Sequence, residues 1–132
     1  MALPYSQPVG EAFLVTSLSI GASTSTATMV VPAKGRIQRT GCTLVSGTCS
    51  GATATITVKV FPVGGTLSTD IGALTMPVGT GPGGATASTE DFPSFNGASV
   101  YVNDGDRIEW ACAGGTGGTA VSSVFAVVRK VG

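Results

Sequence analysis

A chain of 132 residues suits one domain, and surface scaling lets it bury roughly two-thirds of its unfolded surface around a single core. Seven basic and seven acidic residues cancel, so the basic excess that phosphate recognition requires is missing and nucleic acid is excluded as a partner. Charged residues are 11% of the chain against roughly 25% in ordinary domains, and glycine supplies 20 residues; this composition fits short strands joined by tight turns, with little self-repulsion to keep copies apart.

Residues 1–10 (MALPYSQPVG) hold Pro4 and Pro8, which disfavour helix and central strand, so this segment is expected to be an extended arm. Residues 11–132 are expected to form one β-sandwich domain. Its first strand covers 11–20, with Leu14, Thr16, Leu18 and Ile20 on one face. A turn at Gly21-Ala22 leads to a strand over 23–31 that aligns Ala27, Met29 and Val31. A third strand covers 36–45. Its apolar phase slips between Ile37 and the Cys42/Leu44 pair, which points to a bulge at Gly41.

The cleanest alternation runs over 52–60, where Ala52, Ala54, Ile56, Val58 and Val60 alternate with Thr53, Thr55, Thr57 and Lys59. Shorter strands are expected at 67–71 and 73–78. Residues 79–88 (GTGPGGATAS) read as a surface loop, with Phe92, Pro93 and Phe95 as its apolar anchor. Residues 99–102 and 107–113 then form a hairpin around Asn103-Asp104-Gly105, because Asp-Gly tolerates the positive φ of a tight turn. Residues 114–118 are a glycine-rich loop, and a last strand covers 121–131. About eight short strands with no helical period call for an all-β, antiparallel sandwich. An eight-stranded jelly roll accounts best for the count, and an immunoglobulin-like sandwich lacks its Cys-Trp-Cys order.

Chemistry finds little to work with. The chain has no histidine, which removes Ser-His-Asp and Cys-His nucleophile machinery and any Cys/His zinc site. Asp104 and Asp106 straddle a turn, where carboxylates ordinarily serve the turn itself. They also invite a calcium reading, but the further acids of a calcium loop are absent. The glycine run at 79–84 has no following lysine and no helix, so it is not a phosphate loop. Trp110 is in phase with Ile108 and Cys112 and is expected in the core, not as a sugar platform. Cys42, Cys49 and Cys112 are expected to be reduced, mostly buried thiols, with a Cys42–Cys49 bridge left open. No enzyme activity, cofactor or metal is expected. No apolar run approaches the ~18 residues that cross a membrane, so no membrane partner is expected either.

The last strand is more informative. Val124, Phe125, Ala126, Val127 and Val128 are apolar on both faces, where a strand open to water on one side alternates. A two-layer sandwich covers one face only, so the other is expected to pack on a second subunit. Phe125 and Val127 share one face and Val124 and Val128 the other. Which face points outward is left open.

The Pro-containing arm, the Thr/Gly/Ser-rich strands and the segment VNDGDRIEWACAGG together resemble jelly-roll cement, or decoration, proteins of tailed bacteriophage heads. The resemblance is one of architectural style over the whole chain and rests on no diagnostic motif. It implies a structural virion protein, made in the host cytoplasm, that sits on the capsid exterior as a homotrimer and bridges neighbouring major capsid proteins. Leu3, Pro4, Tyr5 and Pro8 of the arm, and Val124, Phe125, Val127 and Val128 of the last strand, are then the candidates for contacts with capsid and sister subunits. A virion fibre, spike or glycan-binding module of jelly-roll type is the alternative.

Overall fold

The computed structural model of the chain describes residues 10–20, 25–82, 88–91, 101–115 and 120–130. Through them run β1 Glu11–Ile20, β2 Ser25–Val30, β3 Gly35–Ser46, β4 Ala54–Phe61, β5 Thr69–Met76, β6 Ser88–Asp91, β7 Tyr101–Val102, β8 Arg107–Gly114 and β9 Ala120–Lys130. All pairings are antiparallel. They build one sheet in the order β1-β9-β3-β6, with the two-residue β7 also on β3, and a second in the order β2-β8-β4-β5.

The first strand pairs with the last, and the pattern continues inward: β1 with β9, β2 with β8, β3 with β6, β4 with β5. This nested ribbon folds over so that β3 also meets β9 and β4 also meets β8. The result is an eight-stranded jelly roll. β6 and β7 lie on the same flank of β3, opposite residues 39–42 and 35–36, and together fill one strand position.

Alternation decides what goes inside. Along β4, Ala54, Ile56, Val58 and Val60 are buried while Thr55 is exposed. Leu14, Leu18 and Ile20 of β1 and Ile108, Trp110 and Cys112 of β8 supply the same core from both sheets. Trp110 is fully buried, and its Nε1–H donates to Thr40 Oγ1 at 2.9 Å. The Thr40 hydroxyl donates in turn to the Phe125 carbonyl at 2.7 Å. One hydroxyl therefore satisfies an indole on β8 and ties the two sheets together through the core. All three cysteines are buried thiols, as their residue type led one to expect.

Four local expectations are corrected. β3 bulges at Gln38 and again at Val45, not at Gly41: Ile37 faces Val128 and Arg39 faces Val127, leaving Gln38 as an extra residue, and Leu44 faces Ser122 and Ser46 faces Val121, leaving Val45. Inward positions accordingly change from Gly35 and Ile37 to Thr40, Cys42 and Leu44. The expected strands at 67–71 and 73–78 are one strand, β5. There Val58 faces Gly72 and Lys59 faces Asp70, and the extra residue, Ile71, is buried where Gly72 has no side chain to offer. β6 arises at the end of the segment read as loop.

The fourth correction concerns the turn at residues 103–106, which is not a hairpin. β7 pairs with β3 in one sheet and β8 with β2 and β4 in the other, so the turn is a corner between sheets. Gly105 does adopt φ 92°. Its N–H donates to the Val31 carbonyl at 2.9 Å, and the Val31 N–H donates to the Asp106 carbonyl at 2.7 Å. The Asp106 carboxylate, 5% exposed, accepts from the Asn103 N–H at 2.8 Å and the Val63 N–H at 3.0 Å. Asp106 thus serves the turn, and it also pins two other connections at the same end of the sandwich.

Candidate assembly surface

The outward face of β1-β9-β3 is built row by row from the register. Glu11 faces Arg129, which faces Arg36 on its other side. The next row is Phe13, Val127 and Arg39, followed by Val15, Phe125 and Gly41, and then Ser17, Ser123 and Thr43. Two adjacent rows therefore carry four apolar side chains in a block, bounded by arginines on one side and hydroxyls on the other.

Phe13 is 64% and Val15 45% exposed. The Phe13 and Phe125 rings stack with centroids 5.4 Å apart and planes at 28°, the diagonal neighbour contact of an antiparallel pair. Phe125 is half-buried, with the Phe13 ring stacked on it. Gly41, opposite Phe125 on β3, is itself buried.

The structure sorts the expected contact residues. Val124 and Val128 are 0% exposed and line the core between the sheets, so they are corrected from interface candidates to core residues. Phe125 and Val127 lie on the outward face. Leu3, Pro4, Tyr5 and Pro8 lie outside the described residues, as do Phe92, Pro93 and Phe95. Phe13 and Val15 were not anticipated, although their signal was present: both are apolar in antiphase with Leu14 and Leu18, as Phe125 and Val127 are with Val124 and Val128. Only the pairing of first strand with last reveals that the two antiphase sets meet.

Elsewhere the surface is less concentrated. Tyr101 is 55% exposed with the Arg36 guanidinium 5.9 Å from its ring centre. The Arg107 guanidinium lies 4.7 Å from the Phe61 ring centre and donates to the Gly65 carbonyl at 2.9 Å, which fixes the 62–68 connection. Among the described residues, no group of three His, Cys, Asp or Glu side chains is placed to hold a metal ion, and no helix is long and apolar enough to cross a membrane. Comparison with known proteins gives no family model that matches the chain and no curated protein that matches it significantly.

Proposed function

We propose that this protein is a structural assembly module, without catalytic activity, that associates with copies of itself and with a larger protein shell. The observation that carries the reading is the apolar block of Phe13, Val15, Phe125 and Val127 on the outward face of a sheet whose inward face already makes the core. Exposed apolar side chains gathered in one place, and not scattered singly, mark contact surfaces. Burying them stabilises a complex by roughly 25 cal/mol per Å² before the costs of association.

The particular assembly we propose is a homotrimer on the exterior of a tailed-phage capsid, cementing neighbouring major capsid proteins. The jelly-roll fold and the resemblance of the chain to cement proteins support it. In such a design each contact is modest, and linkage within the oligomer raises the total.

Light scattering on the eluting protein tests the first part, with a trimer expected and a monomer at micromolar concentration counting against it. Mixing with expanded capsids tests the second. Saturable binding at a fixed copy number, with capsids that resist a higher temperature, is the expected result. Binding to immobilised glycans without binding to capsids would move the reading to a spike or glycan-binding module.

A further inference from the structure

We propose that the open edge of β1 is a self-pairing edge, where two copies of the chain join antiparallel about a two-fold axis at Val15. This goes beyond the assembly proposed above and uses a different surface, the backbone edge of the strand instead of the outward face of its sheet.

Among the described residues, β1 ends its sheet and pairs with β9 alone. Two hydrogen bonds show which residues address which side. The Lys130 N–H donates to the Gly10 carbonyl at 2.8 Å, so Gly10 points its peptide groups at β9. The Ser25 hydroxyl, from β2 in the other sheet, donates to the Ser19 carbonyl, which therefore points away from β9. Backbone polar groups alternate sides along an antiparallel strand. Glu11, Phe13, Val15 and Ser17 consequently present N–H and C=O to the open edge, in phase with Ser19.

Natural sheets blunt such edges with short strands, charges, prolines or bulges. Among the described residues, the other three edges follow that rule. β2 has six residues and runs into Pro32. β5 carries Asp70 and the bulge at Ile71. β6 and β7 have four and two residues, and β6 ends in Glu90-Asp91. β1 has ten residues, no proline, no register shift, and a single charge at its first position.

The register follows from the same alternation. Edge-directed residues must face edge-directed residues, so the odd-numbered set of one copy meets the odd-numbered set of the other. Among such registers, the one centred on Val15 overlaps Glu11 to Ser19, nine of the ten residues of β1, and sets Gly10 opposite Ile20. It sets Val15 opposite Val15, Phe13 opposite Ser17, and Glu11 opposite Ser19. The glutamates stay at opposite ends, so no like charges meet, and each Phe13 lies diagonal to the second copy's Val15. The apolar blocks of the two copies then form one strip. With a trimer contact through the outward face, this two-fold would link trimers into a net.

A cysteine scan on the full chain tests it, since the native thiols are buried and Val15 is exposed. Directly opposed residues that exchange hydrogen bonds lie about 5.5 Å apart at Cα, within disulfide reach. Under mild oxidation Val15→Cys is expected to give a covalent dimer as its main product, while Ser19→Cys, which faces Glu11, stays monomeric on a denaturing gel. The double variant Glu11→Cys with Ser19→Cys is expected to crosslink again. Equal crosslinking of Val15→Cys and Ser19→Cys, or none in either with Trp110 emission unchanged, overturns the proposal. Crosslinking that survives Val127→Lys supports an edge contact separate from the outward face. Crosslinking abolished by Val127→Lys assigns it to that face and overturns the edge. Slow amide exchange at Phe13, Val15 and Ser17 in a monomeric chain also overturns it, because another segment then covers the strand.

Discussion

Thr40 and Cys112 show how much a single buried side chain decides here. Thr40 accepts from the Trp110 indole and donates to the Phe125 carbonyl, so Thr40→Val keeps the shape and removes both bonds. A buried donor left unsatisfied costs about 1–3 kcal/mol. Urea unfolding followed by Trp110 fluorescence is expected to show that loss as a lower midpoint with an unchanged slope. Thr40→Ser keeps the hydroxyl and is expected to cost about 1 kcal/mol for the missing methyl. Burial, and after it the neighbouring Cys49, push the Cys112 thiol above its ordinary value of 9.0. In the unfolded chain that thiol ionises near its ordinary value, while in the folded protein it stays protonated. The folded state thus holds the extra proton, and by linkage stability is full below pH 9.0 and falls as pH rises beyond it. Melting temperatures taken from neutral pH upward are expected to show that decline, and Cys112→Ala to flatten it.

At the scale of the strands, β3 depends on one half-buried residue. Gln38 is the bulge that turns Ile37 inward on one side and Thr40, Cys42 and Leu44 inward on the other. Deleting Gln38 removes the register shift between Ile37 and Arg39, and one of those sets must then face water. The deletion is expected to abolish the cooperative unfolding transition and expose Trp110, whereas Gln38→Ala is expected to stay within about 0.5 kcal/mol of the parent. The same strand shows what could be read from the sequence. The phase slip between Ile37 and Cys42 is a local pattern and was legible; its position was not, because Gly41 is the residue that usually marks a bulge, while register is set by the partner strand. β1, β4 and β8 were legible for the reason that alternation is local. The Asn103-Asp104-Gly105 turn was legible as a turn, but the strands it joins lie in different sheets, and no local signal distinguishes a corner from a hairpin. The outward apolar block was half legible: β9 announced it, and Phe13 and Val15 joined it only through a pairing between opposite ends of the chain.

For the whole molecule, the decisive quantity is the balance between apolar area and charge on the outward face. Strands β1, β9 and β3 with 10, 11 and 12 residues, and β6 and β7 with four and two in the fourth position, spaced about 4.8 Å apart and rising about 3.4 Å per residue, present roughly 600 Å². A stable pairwise interface covers roughly 800 Å² per partner. One face is therefore short of a strong contact by itself, which is why assembly through it belongs in a multivalent oligomer. Its centre is Phe13, Val15, Phe125 and Val127, and its charged row, Glu11, Arg129 and Arg36, lies at one border. Association driven by the centre is non-directional and is not weakened by salt, whereas association driven by the border weakens as the screening length shortens. Between about 0.1 M and about 1 M salt that length falls from about 10 Å to about 3 Å. Sedimentation is expected to give the same oligomer at both concentrations, and Val127→Lys, which puts a charge into the apolar block while leaving the core intact, to lose the trimer at both with its Trp110 emission unchanged. An oligomer that dissociates at the higher salt would place the contact on the arginine row, and a Val127→Lys chain that still forms the trimer would take it off this face.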